Sequence, residues 1–374
     1  MQFRDLKQQY QVLKKDIDAA MIKVATDCNF ISGAQVSELE KELAQYVGVK
    51  HCITCANGTD ALSIAMMAWG IKEGDAVFVP DFTFFSSGEI VSHCGATPIF
   101  VDVDKDTFNI CTDSLETAIK KVLDEGKLTP KAVVAVDLFG LPADFSKVKE
   151  VADKYGLLVL EDGAQGFGGE INGKRACSFG DIATTSFFPA KPLGCYGDGG
   201  AIFTDDDELA ALMESIRVHG KGTMKYDNVR IGLNSRLDTI QAAILSVKLK
   251  AFKEYEVEAV NRVAEKYTEL LKDTVKTPVI PEGFYSSWAQ YTIRLDGRET
   301  RDALQAELKE HGIPSMIYYP KPMHMQKAFG YGEDYEFECS NTIKLCNTVL
   351  SLPMHPYLTD EDIEKVVHSL KSCL

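Results

Sequence analysis

The chain has 374 residues, 45% of them hydrophobic and 25% charged, with a formal net charge of −15. This is the composition of a globular protein long enough for two structural units, and its acidic balance excludes the basic face on which nucleic-acid binders depend. No apolar run reaches the ~18–20 residues of a membrane span, and the opening MQFRDLKQQYQVLKK is too polar for a secretory signal.

The expectation is therefore a cytoplasmic protein with no nucleic-acid and no membrane partner. Among the ten cysteines only Cys52 and Cys55 lie close together. A metal site needs a second such pair or a nearby pair of histidines, so no metal is expected and the thiols read as reduced.

Short β-branched runs alternate with helical patterns along the first two thirds of the chain. In order they predict a helix over 60–68, a strand over 76–79, a helical turn over 89–93 and a strand over 98–103. A helix over 114–125, a strand over 132–136, a helix over 145–154 and a strand over 157–160 follow, then strands over 181–187 and 199–204. The strand runs are apolar without strict alternation, which predicts burial on both faces and a mostly parallel sheet between helix layers. Beyond residue 236 the pattern changes to a long helix over 238–265, a strand over 289–295, a helix over 299–311, a short strand over 315–319 and a last helix over 360–370. The expected fold class is α/β: a three-layer large unit over 1–247 and a smaller α+β unit over 248–374.

One loop stands out. SFFPAKPLGCYGDGG, residues 186–200, sets Lys191 between two prolines, just ahead of a glycine cluster, where a strand delivers it to the carboxyl edge of the sheet. A lysine fixed there and desolvated is suited to Schiff-base chemistry. Pyridoxal 5′-phosphate would then need three further features. A carboxylate must keep its ring nitrogen protonated, and Asp162 ends the buried run VLED. An anion pocket must take the phosphate, and ANGTD places Thr59 at a helix start, with Ser186 close to Lys191 in sequence. A flat apolar face must cover the ring, and PDFTFF offers Phe84. Each feature has a plainer reading, since Asp162 and the ANGTD turn would serve equally as helix caps and the phenylalanines as core.

The blocks ANGTDAL, PDFTFF, EDGAQ, SFFPAKPLG and GLNSRLDTIQAAI, in that order, resemble the DegT/DnrJ/EryC1/StrS family of nucleotide-sugar aminotransferases, over nearly the whole chain. The resemblance implies a fold-type I pyridoxal-phosphate aminotransferase that works as a homodimer with shared active sites. It makes Lys191 the lysine that carries the cofactor, Asp162 the partner of the ring nitrogen and Gln165 a donor to the ring hydroxyl. Thr59 and Ser186 become phosphate ligands, Gly58 allows close backbone approach, and Asn234 and Arg236 reach the neighbouring subunit's cofactor and substrate.

SFFPAKPLGCYGDGGAIFT and SLPMHPYL are most like the branch that aminates C3 of a UDP-linked 3-keto-N-acetylglucosaminuronic acid, with L-glutamate as donor and 2-oxoglutarate as by-product, for bacterial surface polysaccharide. Tyr319 and His324, in YYPKPMH, are further candidates for substrate contacts. Gly163, Phe84 and Tyr318 depart from that branch, where Ala, Tyr and His are usual. A C4 or other keto-sugar aminotransferase and a non-catalytic regulatory or binding relative are the alternatives. Lys191 disfavours the dehydratase branch, which has His there, and the lack of a GxGxxG disfavours a nicotinamide enzyme.

Overall fold

The computed structural model describes residues 1–224 and 226–374. Helices α1 (Leu6–Asp27) and α2 (Ala34–Val47) precede β1 (His51–Cys55), α3 (Gly58–Ala68), β2 (Asp75–Pro80), α4 (Ser86–His93) and β3 (Thr97–Val101). Then come α5 (Thr112–Glu125), β4 (Thr129–Val136), α6 (Phe145–Tyr155), β5 (Leu158–Asp162) and the short β6 (Glu170–Ile171) and β7 (Lys174–Arg175). Next are β8 (Ile182–Ser186), β9 (Gly200–Thr204), α7 (Asp207–Ile216), α8 (Thr239–Ala251) and α9 (Val257–Leu271). The chain closes with β10 (Phe284–Tyr285), β11 (Tyr291–Arg294), α10 (Arg298–Glu310), α11 (Ser340–Thr348), β12 (Val349–Leu352) and α12 (Asp360–Cys373).

The main sheet has seven strands in the order β1-β9-β8-β5-β4-β2-β3. From β3 to β8 all neighbours are parallel, and β9 runs antiparallel to both β8 and β1. Strand alternation sorts side chains between two helix layers. Val77 and Val79 of β2 pack with α3 and α4, while Ala76 and Phe78 pack with α5 and α6. Both faces are covered, as the unalternating apolar runs predicted. A second core draws on α9, α10, α12, β11 and β12, with Tyr267, Tyr291 and Leu308 fully buried.

The long helix expected over 238–265 forms and runs on to Leu271, with one wider π turn over Phe252–Glu256 between α8 and α9. One expectation needs correction. Residues 315–319 form no strand: Met316 makes one isolated bridge to Ser351, and the chain then leaves the small sheet so that Tyr318 and Tyr319 pack against the first core.

The sheet's polarity is what positions the site. β2, β4, β5 and β8 all end on one edge, and β1 ends there too, with Cys55 paired to Gly200 and Gly200 to Ser186. A Cβ on Gly200 would lie 2.5 Å from the carbonyl oxygen of Asn57, so the strand must carry no side chain where α3 begins. Gly200→Ala should cost ~1–3 kcal/mol through this overpacking, measured as a lowered midpoint of denaturant unfolding with unchanged slope.

Candidate active site

A cavity of about 620 Å³ opens at that carboxyl edge. Lys191 forms part of its wall, on a loop that turns back on itself after β8. The Lys191 N–H donates to Phe188 O at 2.8 Å, and Cys195 N–H to Phe187 O at 2.8 Å. Gly194 lets the loop close, because a Cβ there would stand 2.5 Å from Pro189 O and 2.6 Å from Phe188 O. From behind, Arg4 Nη2 donates to Lys191 O at 2.8 Å, and the buried Lys248 ammonium donates to Gly194 O. Burial lowers the pKa of the Lys191 amine below its usual 10.5; Asp162 opposes that shift and Arg4 adds to it.

Asp162 ends β5, its side chain on the opposite face from that of Glu161. Glu161 is spent on backbone, accepting from Cys177, Phe179 and Gly180 amides. Asp162 instead faces the cavity, almost fully buried. Its Oδ2 accepts from Ser87 Oγ at 2.7 Å and its Oδ1 from Ala164 N–H at 3.2 Å. Burial raises its pKa, while the Ser87 hydrogen bond, the charge of Lys191 and the Ala164 amide pull it back.

Beside it, Gln165 Oε1 accepts from Phe139 N–H at 2.9 Å and Nε2 donates to Tyr319 OH at 3.2 Å. Burial drives the Tyr319 phenol upward, so it stays a neutral hydroxyl at the cavity wall.

The other end of the cavity is the N-terminus of α3. Asn57 Oδ1 caps the Asp60 N–H at 2.8 Å, and the first intrahelical bond runs from Ala61 N–H to Asn57 O. The Gly58 and Thr59 amides precede it and are the helix's available anion donors. Thr59 Oγ1 lies 3.0 Å from Ser86 Oγ. A Cβ on Gly58 would come within 2.7 Å of Ser186 Cβ, so this glycine lets the helix start meet the end of β8. Amides, three hydroxyls and a helix dipole converge there, the chemistry of an anion pocket.

Phe84 is also on the wall, with half its surface open, where its ring can cover a flat ligand. Asn234 and Arg236 are not on this cavity; Arg236 Nη2 donates to Asn234 Oδ1 at 2.6 Å on an outward loop, which Ser235 ties back to Ala56 N–H at 3.0 Å.

His324 does not line this cavity. Its backbone N–H and Nδ1 both engage Asp81, at 2.8 and 2.7 Å, and its ring stacks on Tyr335. Its neighbour Met323 takes the wall position. Asp81, His324 and Cys339 bring ligand atoms within 4.8 Å of one another, but both carboxylate oxygens are already used by His324.

Sequence reasoning missed Ser86, Ser87, Arg4 and Lys248. The serine pair at the start of α4 was the available signal, as hydroxyls at a helix start one strand away from Asp162. Arg4 and Lys248 left none, because their partners are backbone carbonyls nearly 190 and 54 positions away.

The model of the DegT/DnrJ/EryC1/StrS aminotransferase family matches residues 11–371. The UDP-2-acetamido-2-deoxy-3-oxo-D-glucuronate aminotransferase of Pseudomonas aeruginosa is 45% identical over 373 residues, covering 99% of each chain. A DegT DnrJ EryC1 StrS aminotransferase from Brucella abortus is 48% identical with a TM-score of 0.97, over 100% of this chain and 99% of that one. NtdA from Bacillus subtilis, solved with bound cofactor PMP, is 29% identical with a TM-score of 0.88, over 99% of this chain and 83% of the other.

The balance at Asp162 can be tested in the protein alone. Ser87→Ala removes a hydrogen bond made to the charged form, so the Asp162 pKa should move further upward. A 13C carboxyl titration of aspartate-labelled protein reads the shift, and an unmoved or lowered midpoint contradicts the geometry.

Proposed function

Because the chain belongs to the DegT/DnrJ/EryC1/StrS aminotransferase family, we propose that it moves an amino group from L-glutamate to C3 of a UDP-linked 3-keto-N-acetylglucosaminuronic acid. The product would serve bacterial surface polysaccharide and be made in the cytoplasm. The observation that carries the reading is a lysine of lowered pKa and a buried carboxylate on the wall of one cavity. The sugar is inferred from the Pseudomonas relative, whose name gives the 3-oxo-glucuronate.

The cofactor is pyridoxal phosphate, and the side chains fit it: an amine, a carboxylate and an anion pocket share the cavity, with glycine where α3 needs close approach. When bound, it supplies an aldehyde to the lysine and a ring that takes up the electron pair left when a C–H bond beside the amine breaks.

Lys191 Nζ would hold it covalently until the donor amine displaces it. The freed amine, favoured by its lowered pKa, would take the proton from the α-carbon of glutamate in the first half-reaction and give one to C3 of the sugar in the second. Asp162 would hold the proton on the ring nitrogen, with Ser87 fixing that carboxylate's orientation. Gln165 Nε2 would donate to the ring hydroxyl, and Phe84 would cover a face of the ring. The Gly58 and Thr59 amides with the Thr59, Ser86 and Ser186 hydroxyls would bind the phosphate.

Tyr319 and Arg236 are assigned to the nucleotide sugar. Charge must be offset locally on a chain of −15, and Arg236 contributes to that across a homodimer. Its loop supports this arrangement: Ile231 is 87% and Met224 70% exposed, and Phe30 and Ile31 are exposed near the base of α2, an apolar set suited to a second copy. Asn234 would reach the phosphate of that copy's cofactor. Residues 1–247 and 248–374 are assigned as the large and small units.

The test supplies purified protein with glutamate and, separately, the UDP-3-keto-uronate and a UDP-4-keto sugar. Amination at C3 alone is expected. Lys191→Ala should carry no borohydride-fixable cofactor and lose ~10²–10⁴-fold in kcat. Product only from the 4-keto sugar overturns the substrate, and wild-type turnover by the variant overturns Lys191.

A further inference from the structure

The first residues of the chain take no part in the reading above, yet one reaches the loop that carries Lys191. Arg4 precedes α1 and sends Nη2 to Lys191 O at 2.8 Å and to Pro192 O at 3.3 Å. Among the described residues no carboxylate lies within ion-pair distance of it. Burial pulls its pKa down to about 10, against the attraction of Glu256 and Tyr357. A part-buried guanidinium without an ion-pair partner is costly unless its hydrogen bonds are well made, and the hydrogen bonds it makes go to the Lys191 loop.

We propose, on the premise that Lys191 carries the cofactor, that Arg4 is a positioning residue: it holds the Lys191–Pro192 backbone from behind, and its charge lies against the loop that carries the amine. Two prolines stiffen the loop from within, but they remove amide donors, and Pro192 has no N–H with which to pin itself. The loop's carbonyls remain as handles. Arg4 takes those of residues 191 and 192, and Lys248 that of Gly194.

The charges that act on the amine are Asp162 from β5, which favours its protonated form, and Arg4 from behind the loop, which disfavours it; Asp198 and Lys321 share the cavity wall. Behind the loop, Glu256 accepts from Gln9 at 2.9 Å and from Tyr357 at 2.6 Å, and lies close enough to act on both Arg4 and Lys248. His355 is buried next to this group. Arg4 and Lys248 thus stand between this polar group and the backbone of the Lys191 loop.

Arg4→Gln and Arg4→Lys, both checked for wild-type far-UV spectra, separate the two effects. Amide exchange in the cofactor-free protein reads the backbone, and the pH midpoint of the bound cofactor's visible absorbance reads the charge. Arg4→Gln should speed exchange over residues 187–195 by at least ~10-fold relative to the rest of the chain. It should also move the absorbance midpoint upward, because a removed cation no longer disfavours the protonated nitrogen. Arg4→Lys should restore the midpoint but not the exchange protection, since an ammonium keeps the charge and lacks the planar fork. Failure of either Arg4→Gln effect overturns the proposal, as does a loss of protection spread evenly over the chain. Borohydride labelling away from residue 191 would instead fail the underlying reading, and local exchange alone would then decide the clamp.

Discussion

A lysine amine and a carboxylate sit on one wall, largely out of water, and their opposed desolvation costs govern the site. Burial alone would push the amine down and the acid up until both were neutral. Each moderates the other: Lys191 pulls the Asp162 pKa back, and Asp162 pulls that of Lys191 back. The result is a pair of groups held away from their solution values in opposite directions, the amine below and the acid above, with each charge limiting the other's shift. Ser87, the Ala164 amide and Arg4 adjust that balance from the next layer.

The fold brings these groups together through strand polarity. Parallel neighbours present their carboxyl ends on one edge, so Asp162 from β5 and the Lys191 loop after β8 need no long excursions to meet. The antiparallel insertion of β9 between β8 and β1 then places the start of α3 at the same edge. Close approach there rests on glycines at 58, 194 and 200, each of which would drive a Cβ into a neighbour. These glycines act through space, not through unusual φ angles.

Membership of a sugar-aminotransferase family explains why an acidic chain should bind anions. With a net charge of −15 the protein has no long-range attraction for phosphate or diphosphate. Binding must come from backbone amides at a helix start, from hydroxyls and from individual cations whose geometry is local. The α3 terminus, with Thr59, Ser86 and Ser186, is such a place.

Much of this was legible in the sequence. Apolar runs without alternation gave the two-sided sheet, and the ANGTD, VLED and SFFPAKPLG segments marked Thr59, Asp162 and Lys191, because strand ends and helix starts are written in local composition. What the sequence left open was long-range partnership. His324 read as a possible ligand, yet Asp81 claims it from 243 positions away. Ser87 read as nothing in particular until it met Asp162, 75 positions on. Residues 315–319 carried a strand pattern but were drawn off to deliver Tyr319. Local pattern determines which residues can form an element and which chemistry it carries. Only the packed tertiary structure decides which buried donors face which acceptors, since that choice is made by whichever pairing leaves the fewest polar groups unsatisfied across the whole chain.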